Sequence, residues 1–122
     1  MPEYPSDPKI RIENVSYFYE GKPTLRDVTL AVPSHAVTVF LGPAGGGKTT
    51  MLRLINRLND LVEGTRMTGR ILIDDEDIYA PGFDVAGLRR RVGMVFALPL
   101  PLPGTVRQNI LYGPILAGER ER

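Results

Sequence analysis

The chain has 122 residues, and its 15 Lys and Arg against 14 Asp and Glu leave a formal net charge of +1. This length allows one domain or part of a larger one, and so balanced a charge does not favour nucleic acid as a partner. Hydrophobic residues make up 43% and cysteine is absent, which excludes a disordered chain, a disulfide framework and a thiolate zinc site. No apolar run approaches the roughly 18 residues of a membrane-spanning helix, and the first nine residues lack a signal-peptide pattern, so we expect a cytosolic, unprocessed chain.

Residues that favour β-structure dominate the first forty positions. The run over 10–19 predicts a strand that ends at the turn pair Glu20-Gly21. A second strand is predicted over 28–32, where apolar and small residues alternate before the turn pair Pro33-Ser34. The continuous apolar run 37–41 predicts a third, buried strand.

Helical periodicity follows a glycine-rich stretch at 42–47. After this stretch, apolar side chains recur at i, i+3, i+4 and i+7, which predicts a helix from about Thr49 to Leu61. These apolar residues are Met51, Leu54, Ile55 and Leu58. Later patterns predict further elements in chain order: a strand at 71–73 that enters an acidic turn, a helix capped by Asp84 that ends near Arg90, a buried strand at 92–96, a proline-interrupted loop, and a helix over 106–111 capped by Thr105.

The glycine-rich stretch carries the chemistry. Gly42-Pro43-Ala44-Gly45-Gly46-Gly47-Lys48-Thr49 matches G-x-x-x-x-G-K-S/T between a predicted strand and a predicted helix. Glycines let backbone N–H groups approach a polyphosphate, and the helix start adds unpaired N–H groups and the positive end of its dipole. Lys48 would place a charge between the β and γ phosphates, and the Thr49 hydroxyl would reach Mg²⁺. We therefore predict a site for ATP and Mg²⁺ over 42–50, with Thr50 as its last residue. A glycine-rich turn with an exposed lysine is the simpler alternative, but it does not explain why Lys and Thr follow the last glycine.

Around this motif the sequence resembles the ATP-binding cassette of ABC transporters from Ile10 to Gly118, and it looks closest to the phosphate-importer (Pst-type) branch. The resemblance rests on the motif and on four further stretches, 55–60, 69–74, 88–96 and 109–114. It implies an α/β fold, the amino-terminal half of a P-loop NTPase, with an antiparallel β subdomain and a partial parallel core sheet. The implied partial nucleotide-binding domain, 1–122, has four segments. They are an antiparallel β region with the adenine-contacting loop (1–36), the phosphate-loop strand and helix (37–62), a hairpin, short helix and core strand (63–96), and a segment like the family's glutamine loop with the start of a helical subdomain (97–122).

The same resemblance implies roles for single residues. Tyr19 would stack on adenine. The alternative is that its ring packs in the core, as aromatic side chains of strands commonly do. Where the family has a glutamine that reaches Mg²⁺ and the attacking water, this chain has Ala97. We find no signature motif, acidic Walker B strand or switch histidine before Arg122, so the catalytic residues are unknown. The single histidine, His35, precedes the phosphate motif and is predicted to lie in a solvated turn.

Asp74 is an alternative magnesium ligand, because acids directly follow the apolar residues 71–73. The resemblance favours a solvated hairpin turn at this position instead. The run Arg89 to Arg91 needs no partner, since consecutive helix residues diverge by about 100° and do not form one basic face.

Three functions are compatible with these patterns. The first is the ATP-binding subunit of an ABC importer, most closely for inorganic phosphate. It would pair with a second cassette and contact membrane permease subunits through 97–104, at the inner face of the cell membrane and without nucleic acid. The second is a non-hydrolytic regulatory nucleotide-binding module, and the third is a small P-loop phosphotransferase that uses Asp74. In the first case we expect these 122 residues to bind nucleotide, to hydrolyse it hardly at all, and to expose a sheet edge and apolar surface.

Overall fold

The computed structural model describes residues 7–119, and its centre is a four-stranded sheet in the order β2-β1-β3-β4. The strands, all paired antiparallel, are β1 (Pro8–Tyr19), β2 (Lys22–Pro33), β3 (Thr65–Ile73) and β4 (Glu76–Asp77). The predicted turn pair Glu20-Gly21 joins β1 to β2 with both residues at positive φ, as a tight hairpin turn requires. The predicted strand over 28–32 is therefore the second half of a longer strand.

The hydrophobic core lies between one face of this sheet and two helices, α1 (Lys48–Ile55) and α2 (Val85–Arg91). Each of these elements contributes fully buried apolar side chains, and Ile78 closes the cluster after β4. Burying one such side chain contributes about 1.5–3 kcal/mol. The largest of them are Ile12, Val15, Leu54, Ile71, Ile78 and Leu88.

Helix α1 is shorter than the periodicity predicts. It ends at Ile55, and a 3₁₀ turn over Leu58–Leu61 follows it. The break comes from Arg57, which has a left-handed backbone (φ 58°), and from Asn56, whose Oδ1 accepts a hydrogen bond from the Leu58 N–H at 3.2 Å. A side chain that bonds its own backbone two residues on competes with the helix, so the predicted continuation to Leu61 is wrong.

The other two helices begin where the capping residues predict. Asp84 Oδ1 accepts a hydrogen bond from the Gly87 N–H at 2.9 Å at the start of α2. Helix α3 (Val106–Leu116) begins with a complete capping box, in which Thr105 and Gln108 each accept a hydrogen bond from the backbone N–H of the other. It continues one turn and more beyond its predicted end at Leu111.

The two predicted buried strands are absent from the sheet. Residues 37–41 and 93–96 have no ladder partner within the described chain, and Val37 and Leu41 are 92% and 89% exposed. A buried parallel strand needs a parallel neighbour, and the four strands described here pair only with one another. The parallel part of the predicted core sheet is therefore not formed within residues 7–119. The expected exposure of apolar surface is found here.

Candidate phosphate-binding site

The phosphate loop, residues 42–47, connects the extended segment 37–41 to α1. Gly45 and Gly47 have φ of 75° and 83°, a left-handed backbone that side chains with a Cβ rarely adopt. The Gly46 N–H donates to Pro43 O at 3.2 Å, which closes a turn inside the loop. Gly45 and Gly47 are therefore required by the backbone conformation of the loop as well as by the sequence motif.

The loop ends at the start of a helix that no side chain of residues 7–119 caps. Gly47 is the N-cap residue and its carbonyl accepts the Met51 N–H at 2.9 Å. The first N–H groups of a helix have no intrahelical acceptor, and together with the helix dipole they favour an anion. The amino terminus of α1 thus supplies donors to any phosphate held by the loop.

Lys48 places its ammonium group on the loop itself. Its Nζ donates to Gly42 O at 2.8 Å and to Pro43 O. Both acceptors are neutral carbonyls, so these contacts orient the charge without cancelling it. An anion that enters the loop meets an ammonium group already in position.

A cavity of about 420 Å³ opens at this point, and it brings together most of the sequence-predicted ligands. Thr49 is exposed and Thr50 is half-buried. The lining offers the backbone N–H groups of the loop, the Lys48 ammonium group and the hydroxyls of Thr49 and Thr50, and these groups suit a polyphosphate. Thr49 is the residue that could ligate a magnesium ion bound with it. The lining residues are Thr24 and the run 44–50.

The loop is docked against the first hairpin. A Cβ at Gly47 would lie 2.6 Å from Leu25 Cδ2 and 3.2 Å from Thr24 O, so glycine is also required here for space. Leu25 and its cross-strand partner Tyr17 are both buried in the core. The position of the phosphate loop is thereby tied to the sheet.

Tyr19 lies at the end of β1, opposite Lys22 and 46% exposed. Tyr17, two residues earlier on the strand, is buried opposite Leu25, which touches Gly47. Alternation along a strand puts Tyr19 and Tyr17 on one face of the sheet. Tyr19 does not line the phosphate cavity, but it lies on the hairpin against which the loop packs, with ring surface open to solvent.

Asp74 lies in the turn between β3 and β4, which confirms the hairpin expected there. Its carboxylate pairs with Lys9 Nζ at 2.7 Å and with Arg91 Nη2 at 2.9 Å. The hydrogen bond from Lys9, with the charges of Lys9 and Arg91, lowers the pKa of Asp74 despite some desolvation. Because Ile73 opposes Ile10, seven residues along β1 from Tyr17, this turn and the phosphate loop lie at opposite ends of the sheet, about 20 Å apart. Asp74 is thus occupied elsewhere, and residues 7–119 hold no group of three acids or histidines placed to bind a metal.

Ala97 is exposed in a loop without regular structure, as are the leucines that alternate with the following prolines. The end of this loop is fastened to α3, since Asn109 Nδ2 donates to Leu102 O at 3.0 Å. His35 lies exposed in the turn after β2, where it was expected.

A second polar cluster, which sequence patterns do not indicate, holds the far end of α1. Arg89 donates to Arg57 O at 2.8 Å and to Asn56 O at 3.3 Å, and Tyr79 Oη donates to Leu54 O at 2.9 Å. Burial raises the pKa of Tyr79 well above its ordinary value. These donors satisfy carbonyls at the carboxyl end of the helix, so α1 is fixed at both ends. Arg89 to Arg91 form no common basic face, but Arg89 and Arg91 have partners within the chain, which periodicity alone could not reveal.

Comparisons with known proteins agree with this geometry. The sequence profile of the ABC transporter family matches residues 25–122. The phosphate import ATP-binding protein PstB 1 of Vibrio parahaemolyticus is 49% identical over 109 residues, which are 89% of this chain and 40% of that protein. A bacterial Atm1-family ABC exporter, solved with ATP bound, aligns with a TM-score of 0.72 and 30% identity over 92% of this chain and 19% of its own.

This chain therefore spans about two fifths of the curated relative. Among residues 7–119, no helix combines the length and the apolar character needed to cross a membrane. The family profile covers well over half of the chain, and the fold aligns with part of an ABC exporter of known structure. This chain belongs to the ABC transporter family.

Proposed function

We propose that this chain binds MgATP at residues 42–50 and is part of the ATP-binding subunit of an ABC importer for inorganic phosphate. The observation that carries the proposal is the convergence of the phosphate loop, the uncapped start of α1 and Lys48 Nζ on one cavity. The positive potential comes from backbone dipoles and a single ammonium group, a combination suited to a polyphosphate.

Each part of the site has a distinct task in binding. Backbone N–H groups of the loop and of the first turn of α1 donate to phosphate oxygens. Lys48 exchanges its two carbonyl acceptors for phosphate oxygens, which are charged and bind it more strongly. When bound, Mg²⁺ neutralises part of the phosphate charge, and Thr49 is the ligand that this chain offers to it. Tyr19 supplies an aromatic face for adenine.

Phosphate as the transported solute is supported by the relative whose printed name is a phosphate import ATP-binding protein. In the same proposal the partners are a second cassette and membrane permease subunits, which the exposed loop 97–104 would contact from the cytoplasmic side of the membrane. Exposed leucines in this loop, Leu98 and Leu100 among them, provide apolar surface for such a contact. The four segments 1–36, 37–62, 63–96 and 97–122 remain our proposed division of the chain.

Hydrolysis is proposed for a longer cassette rather than for these 122 residues. A methyl group at Ala97 cannot orient water or reach a metal ion, and this observation favours a second candidate function, a non-hydrolytic nucleotide-binding module. Sustained MgATP hydrolysis by a full-length protein that retains Ala97 would support the transport ATPase. Nucleotide binding without hydrolysis would support the non-hydrolytic nucleotide-binding module. The phosphotransferase that uses Asp74 loses support, because Asp74 is paired with Lys9 and Arg91 and lies at the other end of the sheet from the loop.

Calorimetric titration of the chain with MgATP tests the binding site. Lys48→Ala should weaken binding about tenfold to a hundredfold, since a hydrogen bond to a charged group contributes about 1.5–3 kcal/mol. Arg66→Ala is the matched control. It removes one exposed positive charge from the sheet, where Arg66 stacks on Phe18, and should leave the affinity unchanged. Equal affinity in wild type and Lys48→Ala would contradict the proposal.

A further inference from the structure

An irregularity in the first hairpin places Thr24 at the phosphate cavity. Along the ladder, Tyr17 opposes Leu25 and Phe18 opposes Pro23, which leaves Thr24 without a partner on β1. One extra residue on one strand of an antiparallel pair is a β-bulge, and a bulge turns a side chain away from the regular alternation. The bulge leaves Thr24 outside the regular pairing of the two strands, beside Leu25, which packs on Gly47.

Thr24 is in position to meet a ligand. It is exposed, and it lines the 420 Å³ cavity together with residues 44–50. Its carbonyl oxygen would lie 3.2 Å from a Cβ at Gly47, so strand and loop touch at this residue. The Thr24 hydroxyl makes no hydrogen bond with another of residues 7–119. A free donor and acceptor thus borders the loop on the side of the hairpin.

The location of Thr24 between two other parts of the site indicates what it binds. Tyr19 opposes Lys22, and Thr24 lies two residues further along β2, so Tyr19 and Thr24 are near neighbours on the same hairpin. In a nucleotide, the sugar connects the base to the phosphates. If phosphates occupy the loop and adenine lies on Tyr19, the sugar lies beside Thr24.

We propose that the Thr24 hydroxyl binds a ribose hydroxyl of the nucleotide, an inference that rests on the proposed function. A hydroxyl both donates and accepts, so it matches a sugar hydroxyl in either direction. The loop and Lys48 recognise any polyphosphate. Thr24 adds a contact that only a nucleotide with its ribose hydroxyls can make, and it therefore contributes to ligand specificity.

The test measures binding of ATP and of 2′,3′-dideoxy-ATP, each with Mg²⁺, to four versions of the chain. Wild type should bind ATP about twofold to tenfold more tightly than the dideoxy nucleotide, the range for one neutral hydrogen bond. Thr24→Val should bind ATP as weakly as wild type binds the dideoxy nucleotide, with no preference between the two. Thr24→Ser should keep the preference, because it keeps the hydroxyl.

The matched control is Thr68→Val. Thr68 is an exposed threonine on β3 opposite Ser16, away from the cavity, and this variant should bind both nucleotides as wild type does. If wild type binds ATP and 2′,3′-dideoxy-ATP equally tightly, the inference is wrong whatever the variants do. Thr24→Val that weakens both nucleotides by the same factor would also overturn it, because the residue would then act on the phosphates or the loop. Wild type that binds neither nucleotide would overturn the proposed function itself, and the inference with it.

Discussion

Two parts of the molecule differ in how they are held. The packed part comprises the sheet, α1 and α2, where Leu54 is 1% exposed and belongs to one continuous hydrophobic cluster. The peripheral part comprises the loop 97–104 and α3, where no residue of the helix is buried and Ile110 is 70% exposed. Both parts nevertheless contain regular helices with side-chain caps.

This difference separates local from tertiary stabilisation. The capping box of α3 is more complete than the single cap of α2, yet α2 buries Leu88 and α3 buries nothing. A cap satisfies free N–H groups within one turn, whereas burial requires a partner surface. In the proposed function, the exposed apolar side chains of α3 and the exposed leucines of the loop would contact partner subunits.

The largest expected effect comes from truncating a side chain in each part. Leu54→Ala should lower the free energy of unfolding by about 2–5 kcal/mol, because it removes buried methyl groups and leaves a cavity. Ile110→Ala should change it by less than about 0.5 kcal/mol, since the side chain is already in water. Urea denaturation followed by circular dichroism measures both. A comparable loss for the two variants would show that α3 is packed in solution and would remove the distinction.

The contact between loop and hairpin gives a second, smaller effect. Gly47→Ala should cost about 2–4 kcal/mol, because a Cβ is strained at a φ of 83° and would overlap Leu25 Cδ2. Gly82→Ala is the control with a similar φ of 75° and open space around the new Cβ, and about 1–2 kcal/mol is expected. Thermal unfolding of the two variants gives the difference. Equal losses would mean that the loop is not docked on the hairpin as described.

The smallest effect concerns the rim of the packed part, where Asp74 joins Lys9 of β1 to Arg91 of α2. Its pKa is lower in the folded chain than its ordinary 3.8. The ionised Asp74 therefore stabilises the folded state at pH values above 3.8, and this stabilisation is lost as the pH falls through the pKa of Asp74 in the folded chain. Asp74→Asn should be less stable than wild type near neutral pH, and the difference should shrink below about pH 4.

Denaturation midpoints of wild type and Asp74→Asn, measured across this acidic range, test the pH dependence. Glu63→Gln removes one carboxylate from the exposed turn before β3 and serves as the control for net charge. A stability difference for Asp74→Asn that stays constant with pH would contradict the ion-pair explanation.

Sequence patterns were informative wherever a local rule dominates. The caps at Asp84 and Thr105, the turn at Glu20-Gly21 and the hairpin at Asp74 are all found, because each depends on a few neighbouring residues. The break of α1 at Asn56-Arg57 was missed, since apolar spacing continues past a residue that leaves the helix.

Local sequence patterns did not predict the contacts between segments that are distant in the chain. Arg89 binds carbonyls more than thirty positions away along the chain. The bulge at Thr24 depends on strand register, and alternation along a single strand does not show register. Both features required the paired sheet to be known.

By itself the sequence determined the phosphate loop, because glycine conformations, a lysine and a helix start are coded within eight consecutive residues. It also determined the family, through the same motif and the stretches around it. Tertiary structure alone decided which apolar runs are buried. The run 37–41 has the residues of an inner strand, but only Phe40 packs against the core and Val37, Val39 and Leu41 stay exposed, since burial of a strand needs a neighbour that the described chain does not place beside it. It also decided that Thr24 borders the phosphate cavity, because that position results from the pairing of two strands and the packing of Gly47 on Leu25.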